Sequence, residues 1–272
     1  MIAASSAHPD FQASLSFGLE SETYKKYRLS YPDSLGKAVL NRLDSGSRNV
    51  SVDIGSGSGQ SVQWILPLFE KVYAVEPDGR LVETIPRHAN LSVLKAYAED
   101  VIFDENSVDL VTCGTAFHWM NGSSVLSKVN RWLRPGGCIA IYQYRMPNGN
   151  HPVFDLLLQE MSQNWVAFKH PRLVDEDYAF RTLNESECFS DVRIETIPNT
   201  VYLDADTLKG FLSSTSFFKA YVEASDISET YVAGLFSNIE ELLQGGKVAA
   251  DFSVELITGY PVKSSHKKKT YA

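Results

Sequence analysis

A chain of 272 residues is long enough for one large domain, or for a core domain with a modest cap. With 44% hydrophobic and 21% charged residues it can bury a real core, which excludes disorder beyond the ends. A formal net charge of −8 disfavours broad binding to phosphate backbones, so nucleic acid is not an expected partner.

Residues 1–15 are small and polar and read as frayed. They lack a charged segment followed by an apolar stretch, so no signal peptide is expected. From Ser16 to Leu43 apolar residues recur at helical spacing, and Tyr31-Pro32 should divide them into two helices. Asn49 to Ile54 is a β-rich run that feeds a glycine loop. Gln60 to Phe69 reads as a helix, Lys71 to Val75 as a strand and Gly79 to Ile85 as a short helix. Leu91 to Ala96 and Val108 to Cys113 are the third and fourth strands. A helix over Ser123 to Leu133 is stopped by Pro135-Gly136-Gly137 before a fifth strand, Cys138 to Tyr144. After Tyr144 the pattern changes. His151 to Lys169 reads as one long amphipathic helix, the stretch to Cys188 is mixed, and Val192 to Ile197 and Phe252 to Thr258 are strand candidates. The closing SSHKKKTYA reads as a solvated tail.

Alternating strands and helices at these intervals indicate parallel βαβ units, and hence a doubly wound α/β sheet with helices on both faces. The expected division is an N-terminal helical cover (1–45), a core (46–145), a helical cap insertion (146–190) and C-terminal strands and helices that complete the sheet (191–272). Aromatic residues in the cap region (Phe154, Trp165, Phe168, Tyr178, Phe180) suggest a partly apolar pocket, although core packing explains several equally well. No run approaches the roughly 18 apolar residues of a membrane span. Cys113, Cys138 and Cys188 are odd in number and in no metal-ligand spacing. They are expected to be reduced, in a cytoplasmic protein without a bound metal, monomeric or homodimeric.

The segment VDIGSGSGQ (Val52 to Gln60) lies where the first strand turns into a helix. Glycines at 55, 57 and 59 allow a tight turn and close approach of a ligand to the backbone. Glu76 ends the next strand, where an acid accepts both hydrogen bonds of a ribose diol. A nicotinamide fold favours a further glycine where this chain has Gln60. Asp53 beside the loop suits the amino end of an aminoacyl cofactor better than a pyrophosphate. Thr115, Phe117, His118 and Trp119 follow the fourth strand, where an open parallel sheet places its ligands. His118 is the candidate base or hydrogen-bonding wall, and as a base it would make the rate rise through a pKa near 6–7. Phe117 and Trp119 are candidate acceptor contacts.

These segments together carry a resemblance. VDIGSGSGQ resembles the first motif of class I S-adenosylmethionine-dependent methyltransferases, and VYAVEPD the second. VDLVTCGTAFHWM is similar to their fourth strand, and RWLRPGGCIAIYQY to the helix, turn and strand that close the core. ETYKKYRLSYP (Glu22 to Pro32) resembles the Tyr-x-x-Tyr-Arg-Pro-x-Tyr-Pro entry of the trans-aconitate methyltransferase-like group, with Leu29 where that group often has proline. AFHW is similar to the same group's active-site strand end.

The resemblance implies a Rossmann-like, seven-stranded, mostly parallel sheet whose last strand is antiparallel. It also implies S-adenosylmethionine as cofactor and a small-molecule acceptor, methylated most readily on a carboxylate or hydroxyl, with N-, S- or C-methylation open. Asp53, Gly55, Gly57 and Gly59 would pass under the cofactor's methionine moiety, and Glu76 would hold its ribose. Pro77 or Asp78 would flank the adenine, and Ala98-Glu99 would read its edge through the backbone, with Tyr97 where many relatives carry aspartate. Arg28 would bind the cofactor carboxylate, Thr115 would face both ligands, and Tyr24 would face the acceptor. The competing readings are a nicotinamide oxidoreductase, an S-adenosylmethionine-binding protein that catalyses a rearrangement, and an RNA or protein methyltransferase.

Overall fold

Short runs of valine, isoleucine and leucine pair into one large sheet. β1 (Val50–Ile54), β2 (Lys71–Val75), β3 (Leu91–Leu94), β4 (Val108–Gly114) and β5 (Leu133–Tyr144) are parallel. β6 (Phe189–Ile197) and β9 (Val254–Pro261) complete seven strands in the order β3-β2-β1-β4-β5-β9-β6, with β9 antiparallel to both neighbours. This is the expected fold. The computed structural model describes residues 21–44, 48–224 and 229–263. The expectations for residues 1–15 and for the tail from 264 onward lie outside the described residues.

β1 and β4 are buried almost throughout because helices cover both faces of the sheet. Alternate residues of each strand serve opposite cores. Val52, Ile54, Val111, Ile139 and Ile141 face α5 (Gly122–Trp132) and α8 (Tyr178–Asn184). Leu110, Cys138, Ala140 and Tyr142 face α2 (Asp33–Leu40) and α3 (Gln60–Ile65). α1 (Ser21–Tyr27) and α2 part at Tyr31-Pro32, as proline geometry requires. The strand order reverses between β1 and β4, and the loops after their carboxyl ends form a crevice there.

Three local expectations change. Pro135-Gly136-Gly137 does not separate helix from strand: Leu133 already pairs with Val108, and the turn forms a bulge before Cys138 pairs with Leu110. His151–Lys169 is not one α-helix. α6 (Pro152–Glu160) widens into a π-turn over Met161–Trp165 and tightens into a 3₁₀ turn over Val166–Phe168. Trp165 sets this break, being fully buried with its Nε1 donating to the Tyr231 hydroxyl at 3.1 Å. A small second sheet, β7 (Thr200–Leu203) against β8 (Val248–Asp251), has no counterpart in the sequence reading.

The remaining helices are α4 (Gly79–Val82), α7 (Pro171–Val174), α9 (Ala205–Ser213), α10 (Ser216–Ala224) and α11 (Glu229–Leu243). α6, α9, α10 and α11 share a separate core with β7 and β8, built on Phe154, Leu157, Trp165, Phe211, Phe218 and Phe252. That unit, called the cap below, contributes Leu157, Phe211 and Phe217 to the lining of the crevice. Among the described residues no helix is long and apolar enough to cross a membrane.

Candidate active site

The glycine loop turns on Gly55, Gly57 and Gly59, all with left-handed φ (68°, 55° and 92°). A Cβ on Gly55 would lie 2.5 Å from the Ala116 Cβ, so a side chain there would displace the end of β4. The loop is pinned to β2 through Gly55 N–H and Ser56 N–H, which donate to the Val75 carbonyl at 2.9 and 3.1 Å. Glu76 holds it from the other side. One carboxylate oxygen accepts from Gly57 N–H at 2.9 Å and the other from Asp78 N–H at 2.9 Å. Burial pushes Glu76 up to about 7, against the pull of those two N–H groups. Asp53 is fully buried beneath the loop. It accepts from the Thr112 hydroxyl at 2.6 Å, while Oδ2 has no partner among the described residues. Burial raises it to about 7 as well.

From α1, Tyr24 and Arg28 reach over the same loop. The Arg28 guanidinium lies 4.9 Å from the Tyr24 ring centroid. It donates to the Ser214 carbonyl at 3.0 Å and to the Tyr144 hydroxyl at 3.4 Å. Its Nε is buried without a partner, and no carboxylate among the described residues neutralises its charge.

The end of β4 supplies the third side. Thr115 has φ 52°, a conformation that costs a β-branched residue about 1–3 kcal/mol. Its N–H donates to the Tyr142 carbonyl at 2.7 Å and its hydroxyl meets the Tyr31 hydroxyl at 3.0 Å. The 3₁₀ turn Phe117–Trp119 then aims alternate side chains differently. His118 is buried at the cavity wall, with Trp119 packed on its ring at 4.7 Å. Burial first, and then the charges of His170, Arg28, Arg172 and Lys169, push His118 down to about 3. The imidazole is therefore neutral at every physiological pH, and the titration near 6–7 expected of a free histidine is displaced. Arg172 on α7 clasps this turn, donating to the His118 carbonyl at 3.2 Å and the Met120 carbonyl at 2.8 Å.

One cavity of about 820 Å³ joins the three sides. Tyr24, Arg28, Gly55, Gly57 and Glu76 line it, as do Pro77, Ala98, Glu99, Thr115, His118 and Trp119. Four candidates do not, and one of them is Asp78, which is buried with its carboxylate on Arg80. Phe117 points into the sheet core against Tyr178, 5.9 Å between centroids, because the 3₁₀ turn directs it opposite to His118. Asp53 and Gly59 sit behind the wall. Of the cap aromatics, Phe154 lines the cavity, whereas Trp165 belongs to the cap core.

Residues 52–141 match a methyltransferase-domain family. The chain is 27% identical over 217 residues to a Dictyostelium discoideum protein provisionally named a methyltransferase, covering 77% of this chain and 80% of that one. The protein is a methyltransferase. An uncharacterized methyltransferase of Mycobacterium tuberculosis is 33% identical over 129 residues, which cover 47% of this methyltransferase and 51% of the relative. Among solved structures, one from Anaeromyxobacter dehalogenans, provisionally named a type II methyltransferase, superposes with a TM-score of 0.70 at 21% identity. It covers 86% of this chain and 98% of that one. A Haemonchus contortus phosphoethanolamine N-methyltransferase, solved with phosphomonomethylethanolamine and S-adenosylhomocysteine, gives 0.52 at 16% identity, over 96% of this chain and 61% of that one. The fold of this methyltransferase is thus the Rossmann-like fold of class I.

Sequence reasoning missed the part of the wall that comes from elsewhere. Gln143, Tyr144 and Arg145 line the cavity from the end of β5, a position the strand-end rule already marks. Leu157 and Met161 beyond α6's middle, Phe211 of α9 and Phe217 of α10 had no local signal, since only the folding of the cap brings them to the crevice. Among the described residues no cluster of histidine, cysteine, aspartate or glutamate is arranged to hold a metal.

Proposed function

We propose that this methyltransferase transfers the methyl group of S-adenosylmethionine to a carboxylate or hydroxyl oxygen of a small molecule. The observation that carries this reading is the continuous cavity of about 820 Å³ running from the glycine loop and Glu76 to His118 and Trp119 beneath the cap. The donor of this class of enzyme is S-adenosylmethionine, and the residues present fit it. Each oxygen of Glu76 spends one lone pair on a backbone N–H and keeps capacity for a ribose hydroxyl. Arg28, a guanidinium lacking an acid, suits the donor's carboxylate in bidentate fashion. Gly55 and Gly57 leave the backbone open to the methionine moiety, while Asp53 and Gly59 shape the loop from behind. Pro77, Ala98 and Glu99 form the adenine end. Glu99 also accepts from Asn121 N–H at 2.8 Å, which fixes the start of α5 beside it.

Tyr24, Thr115 and Trp119 then face the acceptor. His118 serves as a neutral hydrogen-bonding wall there. When bound, the sulfonium provides an electrophilic methyl and a good leaving group. The chain's own part is to position the acceptor and exclude water, and positioning alone supplies roughly 7–11 kcal/mol of such a barrier. Placement in the trans-aconitate methyltransferase-like group is supported by the entry segment, whose Tyr24 and Arg28 line the cavity and whose Tyr31 hydroxyl meets that of Thr115 at 3.0 Å. Free Cys113, Cys138 and Cys188 support a reducing, cytoplasmic setting. Calorimetry tests the reading: S-adenosylmethionine and S-adenosylhomocysteine should bind and NAD should not. Binding of NAD with no response to either sulfur nucleoside would overturn it.

A further inference from the structure

Among the cations around His118, Arg28 is assigned above to the donor's carboxylate and the others are committed within the protein, with one exception. Arg172 holds two carbonyls of the His118 turn and lies 5.2 Å from the Tyr178 ring. Arg145 is paired with Glu176 and Glu255. Arg28 points toward the glycine loop. Lys169 alone lines the cavity with an ammonium group that has neither a hydrogen bond nor an ion pair among the described residues. It is half-buried, and desolvation lowers its pKa, against the opposing influence of Glu176. Such a charge is costly unless something answers it.

Lys169 is also built into place rather than trailing from the surface. It caps the 3₁₀ turn that follows the π-turn, with its N–H on the Val166 carbonyl at 3.2 Å. The residues before it anchor that turn in the cap: Trp165 is fully buried, and the Phe168 ring meets Tyr221 at 5.3 Å. The acids nearest on the wall are engaged elsewhere, Glu176 with Arg145 and Asp175 with Arg181, and Asp155 is exposed in the first turn of α6. Leu157, Met161 and Phe217 give the adjoining wall an apolar character. The site therefore offers a positive charge without a hydrogen-bonded or ion-paired partner among the described residues, an apolar surface and a neutral histidine, in a protein of net charge −8.

We propose that Lys169 selects an acceptor with an apolar body and a carboxylate, and that this carboxylate is the group methylated. The assignment rests on the methyltransferase reading above and narrows it to an acid. A carboxylate oxygen attacks the sulfonium methyl, the C–O bond forms, and the S–CH₃ bond breaks with its electron pair left on sulfur. One negative and one positive charge disappear together, no proton is released, and no base is required. The neutral ester then loses its ion pair with Lys169, which favours release.

The test uses the full chain and a panel of straight-chain and phenyl-substituted carboxylic acids, each with its methyl ester and primary alcohol. Saturated with S-adenosylhomocysteine, the wild type should bind acids more tightly than their esters or alcohols, and with the donor it should convert at least one acid to its ester. Lys169→Met should weaken acid binding and raise the acid's KM by about tenfold or more, the scale of a lost hydrogen bond to a charged group. It should also abolish the preference of acid over ester. Lys169→Arg should restore most of both, and the Kd for S-adenosylhomocysteine should be the same in all three, which shows that each variant is folded. Equal binding of acids and alcohols by the wild type, methylation of alcohols alone, or an unchanged acid KM in Lys169→Met would each overturn the proposal. Failure of the wild type to bind S-adenosylhomocysteine at all is a different result, and it would overturn the methyltransferase reading instead.

Discussion

Replacing Glu76 with alanine removes a carboxylate that the structure uses twice. Its two oxygens accept from Gly57 N–H and Asp78 N–H, both at 2.9 Å, and the same oxygens are assigned to the ribose diol. The two losses separate experimentally. Without ligand, the freed N–H groups open onto the cavity and find water, so the stability cost should sit near the lower end of about 1–3 kcal/mol for an unmade bond. At about 2–4 °C per kcal/mol for a chain of this size, melting should fall by a few degrees. With ligand, loss of hydrogen bonding to a charged group costs about 1.5–3 kcal/mol, or roughly 10- to 150-fold in Kd. Titration calorimetry with S-adenosylhomocysteine measures the second loss and a thermal melt the first. The raised pKa adds a signature of its own. Glu76 ionises near 7 in the free protein, and the carboxylate is the better acceptor, so wild-type affinity should strengthen as pH rises through about 7. Glu76→Gln should show no such step. A folded Glu76→Ala protein with an unchanged Kd would refute the ribose assignment.

Asp53 binds a proton more readily folded than unfolded, so between about pH 4, where an unfolded aspartate titrates, and about 7 the native state holds more protons and stability falls as pH rises. Asp53→Asn should lessen that fall in a series of denaturant titrations across the interval, leaving the share that Glu76, also raised to about 7, contributes, and an equal slope in both proteins would contradict it. His118→Ala should raise the acceptor's KM while leaving the shape of the kcat/KM–pH profile between pH 6 and 8 unchanged, because the imidazole carries no proton anywhere in that range. A wild-type step near 6–7 that vanishes in the variant would restore His118 as the base.

Much of the core was legible in the sequence because its signals are local. Parallel strands buried on both faces appear as near-continuous apolar runs, and β2 was bounded correctly as Lys71–Val75 from its own residues. The glycine loop could be read because left-handed φ at three nearby positions admits few residues other than glycine. Glu76 and His118 followed from a rule about strand ends, which needs only the order of strands and helices. The helices of the cap obey no such rule. Trp165 interrupts a helix whose apolar period continues past it, since the indole is held by Tyr231, a residue distant in the chain. β7 and β8 are four residues each and pair across the whole of α9, α10 and α11, so neither carries a local signal of its partner. Phe117 and His118 are adjacent in sequence, yet one enters the core and the other the cavity, a choice made by the 3₁₀ turn. Lys169 looks like any surface lysine in the sequence. Local backbone requirements and strand order thus determined the sheet and the glycine-loop end of the cavity. Packing between distant segments alone decided the opposite end of the cavity, because burial, charge and the lack of a partner are properties of a side chain's surroundings.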